Sequence, residues 1–191
     1  MTPELRLVII GGVIGIVGAL LGAGMGAIID FWLGEKRDQR LKRLQNRTTA
    51  LEWAATGRTK NLRHIDLQGQ DLRGADFCNG PDQDRGADLS YSDLRQVDLS
   101  NAQLVNTDLR GADMRGAILA NTNLSGAILV HTNLSMTNLG EAVIDEANLY
   151  GANLLKANVT IDQLRRSQTF DRATLQDGKL YIEDDEDDGE E

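Results

Sequence analysis

The sequence predicts a mainly β protein: a solenoid of short extended segments, preceded by one transmembrane α-helix and a short juxtamembrane helix. Three observations carry this expectation: a strict five-residue period, a small side chain two residues before each apolar centre, and an uncharged apolar run at 7–29. The centres run Leu89, Leu94, Leu99, Leu104, Leu109, Met114, Leu119, Leu124, Leu129, Leu134, Leu139, Ile144, Leu149, Leu154 and Val159 without a slip. A period of five fits neither the helix repeat of about 3.6 nor the strand repeat of 2. The small residue and the centre, however, are two apart, as on one side of an extended chain. The chain therefore goes straight, turns, and goes straight again, and such units are stable only when stacked on their neighbours.

The units Ala87-Asp88-Leu89, Ala112-Asp113-Met114-Arg115-Gly116 and Ala147-Asn148-Leu149-Tyr150-Gly151 resemble the pentapeptide-repeat family, over roughly 60–180. That resemblance implies a right-handed quadrilateral β-helix with four repeats per coil, so that centres twenty residues apart stack. Some members of that family are acidic rods that mimic DNA and occupy type II topoisomerases.

The elements follow in order: a transmembrane helix at 7–33, a basic juxtamembrane helix or N-terminal cap at 34–58, the β-helix at 59–160, a C-terminal cap at 161–180 and a disordered acidic tail at 181–191. At about 1.5 Å per residue the apolar run is long enough to cross a bilayer as a helix, with Trp32 at its far end. A cleaved secretory signal is the rival reading, since small residues follow at 22–27. Lys36, Arg37, Arg40, Lys42, Arg43 and Arg47 lie beyond the run, against Arg6 before it. The positive-inside rule then places the N-terminus outside and the repeat domain in the cytoplasm of a single-pass membrane protein. Gly11, Gly15, Gly18, Gly22 and Gly26 recur at four- and three-residue spacings, and small residues four apart can mark a face of helix self-association. Leu41, Leu44, Thr48, Leu51 and Ala55 share one helical face. That stripe suits either a short coiled coil or, preferably, packing on the open N-terminal coil with help from Trp53.

Earlier repeats are irregular: Leu62, Leu67, Leu72 and Phe77 keep the period, but Leu89 follows Phe77 by twelve residues, two more than two repeats allow. Asn79-Gly80-Pro81 supplies turn chemistry for a loop there, one that is either a tolerated insertion or a contact site. After Val159, Thr160 and Gln163 stand at capping-box spacing, and Phe170, Leu175 and Leu180 resume the period. This segment reads as a cap, because a bare solenoid end would expose core and strand edge.

Charge is uneven: +3 over 1–59, −4 over 60–180 and −8 over 181–191. Before each centre the early repeats use Asp and the later ones Asn, so the rod grows less acidic along its length. Arg95, Arg110 and Arg115 stand beside Asp93, Asp108 and Asp113 and offset them in part. No residues suggest catalysis, a cofactor or a metal. His64 and His131 occupy repeat positions, and a lone Cys78 leaves no intrachain disulfide or Cys-based zinc site. Low aromatic content and negative charge argue against nucleic acid as a partner, and no small-molecule substrate is indicated. The expected partners are the membrane, an unidentified protein and a second copy of the chain. The expected function is a non-catalytic, membrane-tethered scaffold, with the topoisomerase-binding acidic rod as alternative.

Overall fold

A computed structural model describes residues 6–10, 13–17, 22–56, 62–78 and 85–182, with side chains from Leu33 onward. The chain divides into two compact units, Met1–Lys42 and Arg43–Glu191.

In the first unit, β1 (Arg6–Ile10) and β2 (Val13–Val17) pair antiparallel, with Arg6 opposite Val17 and Ile10 opposite Val13. Helix α1 begins at Gly22 and ends at Thr56. This corrects the expectation of one spanning helix over 7–33. The run Val8-Ile9-Ile10 and Val13-Ile14 with Ile16-Val17 is rich in β-branched side chains, which favour strands over helices. The apolar part of α1 stops at Leu33, before Glu35-Lys36-Arg37. Among the described residues no helix is long and apolar enough to cross a membrane, so the membrane localisation and the topology drawn from it are withdrawn. Of the spaced glycines, Gly15 lies in β2, Gly22 and Gly26 lie in α1, and Gly11 and Gly18 fall outside the described residues. They do not share one helix.

The second unit is a β-helix. Parallel bridges join residues twenty apart between Asp88 and Asn158, twenty-seven apart across the insertion and twenty-one apart into the last turn, and divide the coil into four faces. Face 1 carries Asp88, Asp108, Ile128, Asn148 and Thr169; face 2 carries Asp66, Asp93, Asp113, Asn133, Asn153 and Thr174. Face 3 carries Asp71, Asp98, Ile118, Asn138 and Asn158, and face 4 carries Asp76, Gln103, Asn123 and Val143. All fifteen regular centres point inward, none more than 8% exposed, with the small residues between them. Inward hydroxyls bond to the ladder: Thr122 Oγ1 donates to the Leu99 carbonyl at 2.8 Å and Thr132 Oγ1 to that of Leu109 at 2.7 Å.

Each coil turns four times in the same way. The carbonyl of a centre accepts the N–H three residues on, as Leu99 does from Ala102 at 3.0 Å, and the residue between, two after the centre, has φ near +60°. This is the pattern of a type II turn, which favours Gly or Asn at that position. The Asp or Asn before each centre closes the turn from outside: Asp93 Oδ1 accepts from the Arg95 N–H and Asn123 Oδ1 from that of Ser125. Where the position holds Asp or Asn the two perform one structural task; at Ile118, Ile128 and Val143 the turn stands without that outer acceptor.

The bridge from Asp76 skips to Gln103, twenty-seven residues on, and the Ala87 N–H donates to the Phe77 carbonyl. One repeat plus seven inserted residues thus joins Phe77 to Leu89, where the spacing had suggested two repeats plus two. Residues 79–84 of that insertion lie outside the described residues. Gly86 closes it: a Cβ there would sit 2.6 Å from the Val105 carbonyl oxygen and 2.8 Å from Thr107 Oγ1.

Both ends of the stack are covered. At the N-terminal end Ala50 and Trp53 of α1 are buried, Trp53 stacking on Phe77 at 5.9 Å between centroids. Arg43 bonds Asp66 and Gln68, and Arg47 bonds the Asp71 carbonyl. The packed face is therefore 43, 46, 47, 50, 51, 53 and 54, so Leu51 of the expected stripe and Trp53 do meet the coil. The stripe of Leu41, Leu44 and Thr48 faces outward, Leu41 at 57% exposure. The buried Ala50 and Trp53 centre that face on the core, and Arg43, Asn46 and Arg47 hold its rim.

At the C-terminal end Thr160 and Gln163 form the capping box of α2 (Ile161–Leu164). Leu164 is fully buried, above Ile144, and the Gln163 amide donates to the carbonyls of Leu139 and Ala142. Phe170 and Leu175 pack against the core, but Leu180 is exposed: the chain reverses and pairs Leu180 antiparallel with Thr174. The last edge is covered by this return in place of another coil. Residues 183–191, with the acidic tail, fall outside the described residues.

Candidate interaction surface

Three positions of every repeat face outward, and their conformation is fixed by the ladder and the turn. The surfaces of the rod therefore differ only in which side chains stand there. The corner that follows face 1 differs from the other three. Its left-handed positions, stacked coil on coil, are His64, Tyr91, Gly111, His131, Gly151 and Arg172. The positions just before them include Arg63, Arg110, Val130 and Tyr150. Both histidines and two of the three tyrosines of the chain thus gather on one corner.

The rings touch in two groups. His64 stacks on Tyr91 at 5.4 Å, and the Arg63 guanidinium lies 5.8 Å from the Tyr91 ring centre. Higher up, His131 meets Tyr150 edge-on at 5.8 Å, with Arg172 at 6.0 Å over Tyr150. Two glycines make room for the rings. A Cβ on Gly111 would sit 2.8 Å from the Tyr91 ring, and one on Gly151 would collide with the His131 imidazole. Tyr91 remains 54% exposed, so the ridge is ordered yet open to solvent. Period analysis places His64 and His131 on the outer surface but does not bring them together. The signal was available: residues 27 and 20 apart occupy one corner once the seven-residue insertion is counted.

Electrostatics vary along the rod. The Arg73 side chain, hydrogen-bonded to Asp71, holds that carboxyl down to about 2. The Arg95 side chain likewise lowers Asp93, against an opposing effect of burial. At Asp108 burial pushes upward, but hydrogen bonds from Arg110 outweigh it and the net shift is downward. Arg95 also reaches Asp113 at 3.8 Å across the coils, whereas Arg115 offers Asp113 its main-chain N–H. The acidic columns are thus laced with guanidinium groups. A groove of about 550 Å³ beside α1 is lined by Arg47 and Arg73, both engaged by Asp71. Burial pushes the Cys78 thiol up, which leaves less thiolate for chemistry. Among the described residues no three His, Cys, Asp or Glu side chains group as metal ligands.

A family model described as pentapeptide repeats matches residues 85–116 and 112–144, in eight copies. HetL, a pentapeptide repeat protein involved in heterocyst differentiation regulation in the cyanobacterium Nostoc, is 39% identical over 56% of this chain and 42% of its own, with a TM-score of 0.49. The matched part of the chain therefore spans less than half the length of HetL. A second Nostoc pentapeptide repeat protein is 32% identical over 56% of this chain and 78% of its own, TM-score 0.42. One from the thylakoid lumen of Arabidopsis thaliana is 27% identical over 60% and 70%, TM-score 0.42. Comparison with curated proteins gives no significant match. The chain belongs to the pentapeptide-repeat family, whose coils form a right-handed β-helix.

Proposed function

We propose that the protein is a non-catalytic scaffold that binds another protein along the ring-bearing corner. The gathering of His64, Tyr91, His131 and Tyr150 with Arg63, Arg110 and Arg172 supports this reading. Tyr and Arg are enriched at protein interfaces and dominate their binding energy. Here the turn frame presents them already ordered, which reduces the entropy lost on association. The test is cross-linking of the full chain in its host, read by mass spectrometry, with a Tyr91→Ser/Tyr150→Ser variant beside a Met136→Ser control on another corner. Partners should be retained by the control and lost by the double variant, and a second copy of the chain would count among them. Equal recovery from both would place the contact elsewhere.

A second reading treats the Asp columns of faces 1 to 3 as a mimic of DNA phosphates for a type II topoisomerase. Those columns favour it, and the interleaved Arg73, Arg95 and Arg110 weigh against it. Inhibition of gyrase supercoiling by the full chain, unaffected by the tyrosine substitutions, would select this second reading.

A further inference from the structure

Taking the ring-bearing corner as the protein-binding surface argued above, on which this inference rests, we propose that its partner presents a polyproline II segment. Residues one turn of that helix apart sit on Tyr91 and His131. The two seats are equivalent. Both residues occupy the left-handed turn position, and each leans on the glycine one coil further on. A Cβ on Gly111 would meet the Tyr91 ring at 2.8 Å, and one on Gly151 would collide with the His131 ring. The Tyr91 N–H bonds to the Arg110 carbonyl and the His131 N–H to that of Tyr150, so the two hold the same place in the ladder. Both are exposed, and Gly111 between them adds no side chain.

Spacing selects the ligand. Tyr91 and His131 are two coils apart, about 9.6 Å at the strand spacing. A polyproline II helix repeats every three residues, about 9.3 Å, so residues three apart reach both rings together. An extended strand returns to the same side at about 6.7 Å and again at about 13 Å, and misses the second ring both times. An α-helix comes nearer, with two turns at about 10.8 Å, but it bonds its own carbonyls. Polyproline II leaves every carbonyl open, and the ridge carries hydroxyl and imidazole donors in Tyr91, Tyr150, His64 and His131. Charge agrees. Arg63, Arg110 and Arg172 are each paired, with Asp88, Asp108 and Asp171, so the corner is balanced and suits an uncharged segment over an acidic one. Proline-rich helices dock on aromatic surfaces and are preformed, so little entropy is lost on binding. The chain has two prolines, Pro3 and Pro81, so the segment belongs to another protein.

The probe is a capped nonaproline peptide, titrated into the full-length chain and read by amide NMR, beside a glycine–serine peptide of equal length. Nonaproline should shift the Gly111, His131 and Gly151 amides along a saturable curve and leave Gly116 and Gly126, on other corners, in place. Tyr91→Asn and His131→Asn keep a residue that tolerates the left-handed turn. Each should weaken the fitted affinity at least tenfold, because both rings are engaged at once. No response, a response at every corner, an equal response to the glycine–serine peptide, or a tenfold loss from fewer than both substitutions overturns the proposal. Shifts that grow with protein concentration in the absence of peptide would assign the corner to a second copy, and overturn it too. The two readings fail separately. Cross-linked partners lost with Tyr91→Ser/Tyr150→Ser, while nonaproline leaves the corner unmoved, would keep the protein-binding corner and remove the polyproline segment. Nonaproline bound at the corner, with cross-links indifferent to the tyrosines, would overturn the functional reading instead.

Discussion

Twelve described residues other than glycine hold φ near +60°, among them Tyr91, Met136, Glu141, Glu146, Lys156 and Arg172. A left-handed L-residue costs about 1–2 kcal/mol, partly offset where glycine would lose more chain entropy on folding. Glu141→Gly should therefore raise unfolding free energy by up to about 1 kcal/mol in a denaturant titration. Gly151→Ala should lower it by about 2 kcal/mol or more, since strain adds to collision with His131. A destabilised Glu141→Gly would mean that the side chain does work that the turn geometry does not reveal. The acidic columns give a second residue-scale prediction. A carboxyl whose folded pKa lies below its unfolded value of about 3.9 adds stability above pH 4 and loses it as pH falls through the folded value. For Asp71 that window runs from about pH 4 down to about 2. Carbon-detected titration of Asp71 should give a midpoint near 2, and Arg73→Gln should move it up toward the ordinary carboxylate range. An unmoved midpoint would show that the Arg73 pair is not its cause.

At the scale of elements, the two ends of the solenoid are held by different chemistry. The N-terminal latch is apolar at its centre, where Trp53 lies on Phe77, and polar at its rim through Arg43, Asn46 and Arg47. Trp53→Ala should cost about 3–5 kcal/mol, as large-to-small core changes do, whereas Arg47→Ala at the rim should cost under about 1 kcal/mol. The C-terminal plug is polar at its centre. Gln163 is buried and spends its amide on two carbonyls, at 3.0 and 2.8 Å, that the missing next coil would otherwise meet. Gln163→Leu strands the Ala142 carbonyl, while that of Leu139 keeps the Ala142 N–H, and should cost about 1–3 kcal/mol for one buried unpaired group. Hydrogen exchange should then quicken at the Leu164 and Arg166 amides before it does at Leu124. Protection lost uniformly along the rod would show that the plug is not a separable element.

For the molecule as a whole, the sequence displays the coil plainly, because one apolar centre per five residues can be buried in only one way. It displays the ends and the surface poorly. The stripe Leu41, Leu44, Thr48 looked like the packing face of α1, yet the helix meets the core through Ala50 and Trp53, with Arg43 and Arg47 bonding Asp66 and Asp71 at the rim. The β-branched run before Gly22 satisfied a hydropathy argument that ignores backbone preference. The ring-bearing corner was hidden by the seven-residue insertion, which displaces His64 from the period that aligns Tyr91 with His131. The coil itself makes the last prediction. In a stack where each level contacts only its neighbours, the position of a defect decides how far it spreads. Leu124 is fully buried between Leu104 and Ile144, so Leu124→Ala should cost about 2–5 kcal/mol and lower protection throughout the rod. Leu175, partly buried in the last turn, should on Leu175→Ala cost less and loosen only the levels above Leu154. Hydrogen exchange read residue by residue separates these outcomes. If Leu175→Ala melted the whole rod as one unit, the coils would be coupled far beyond nearest neighbours, and the modular picture of this solenoid would fail.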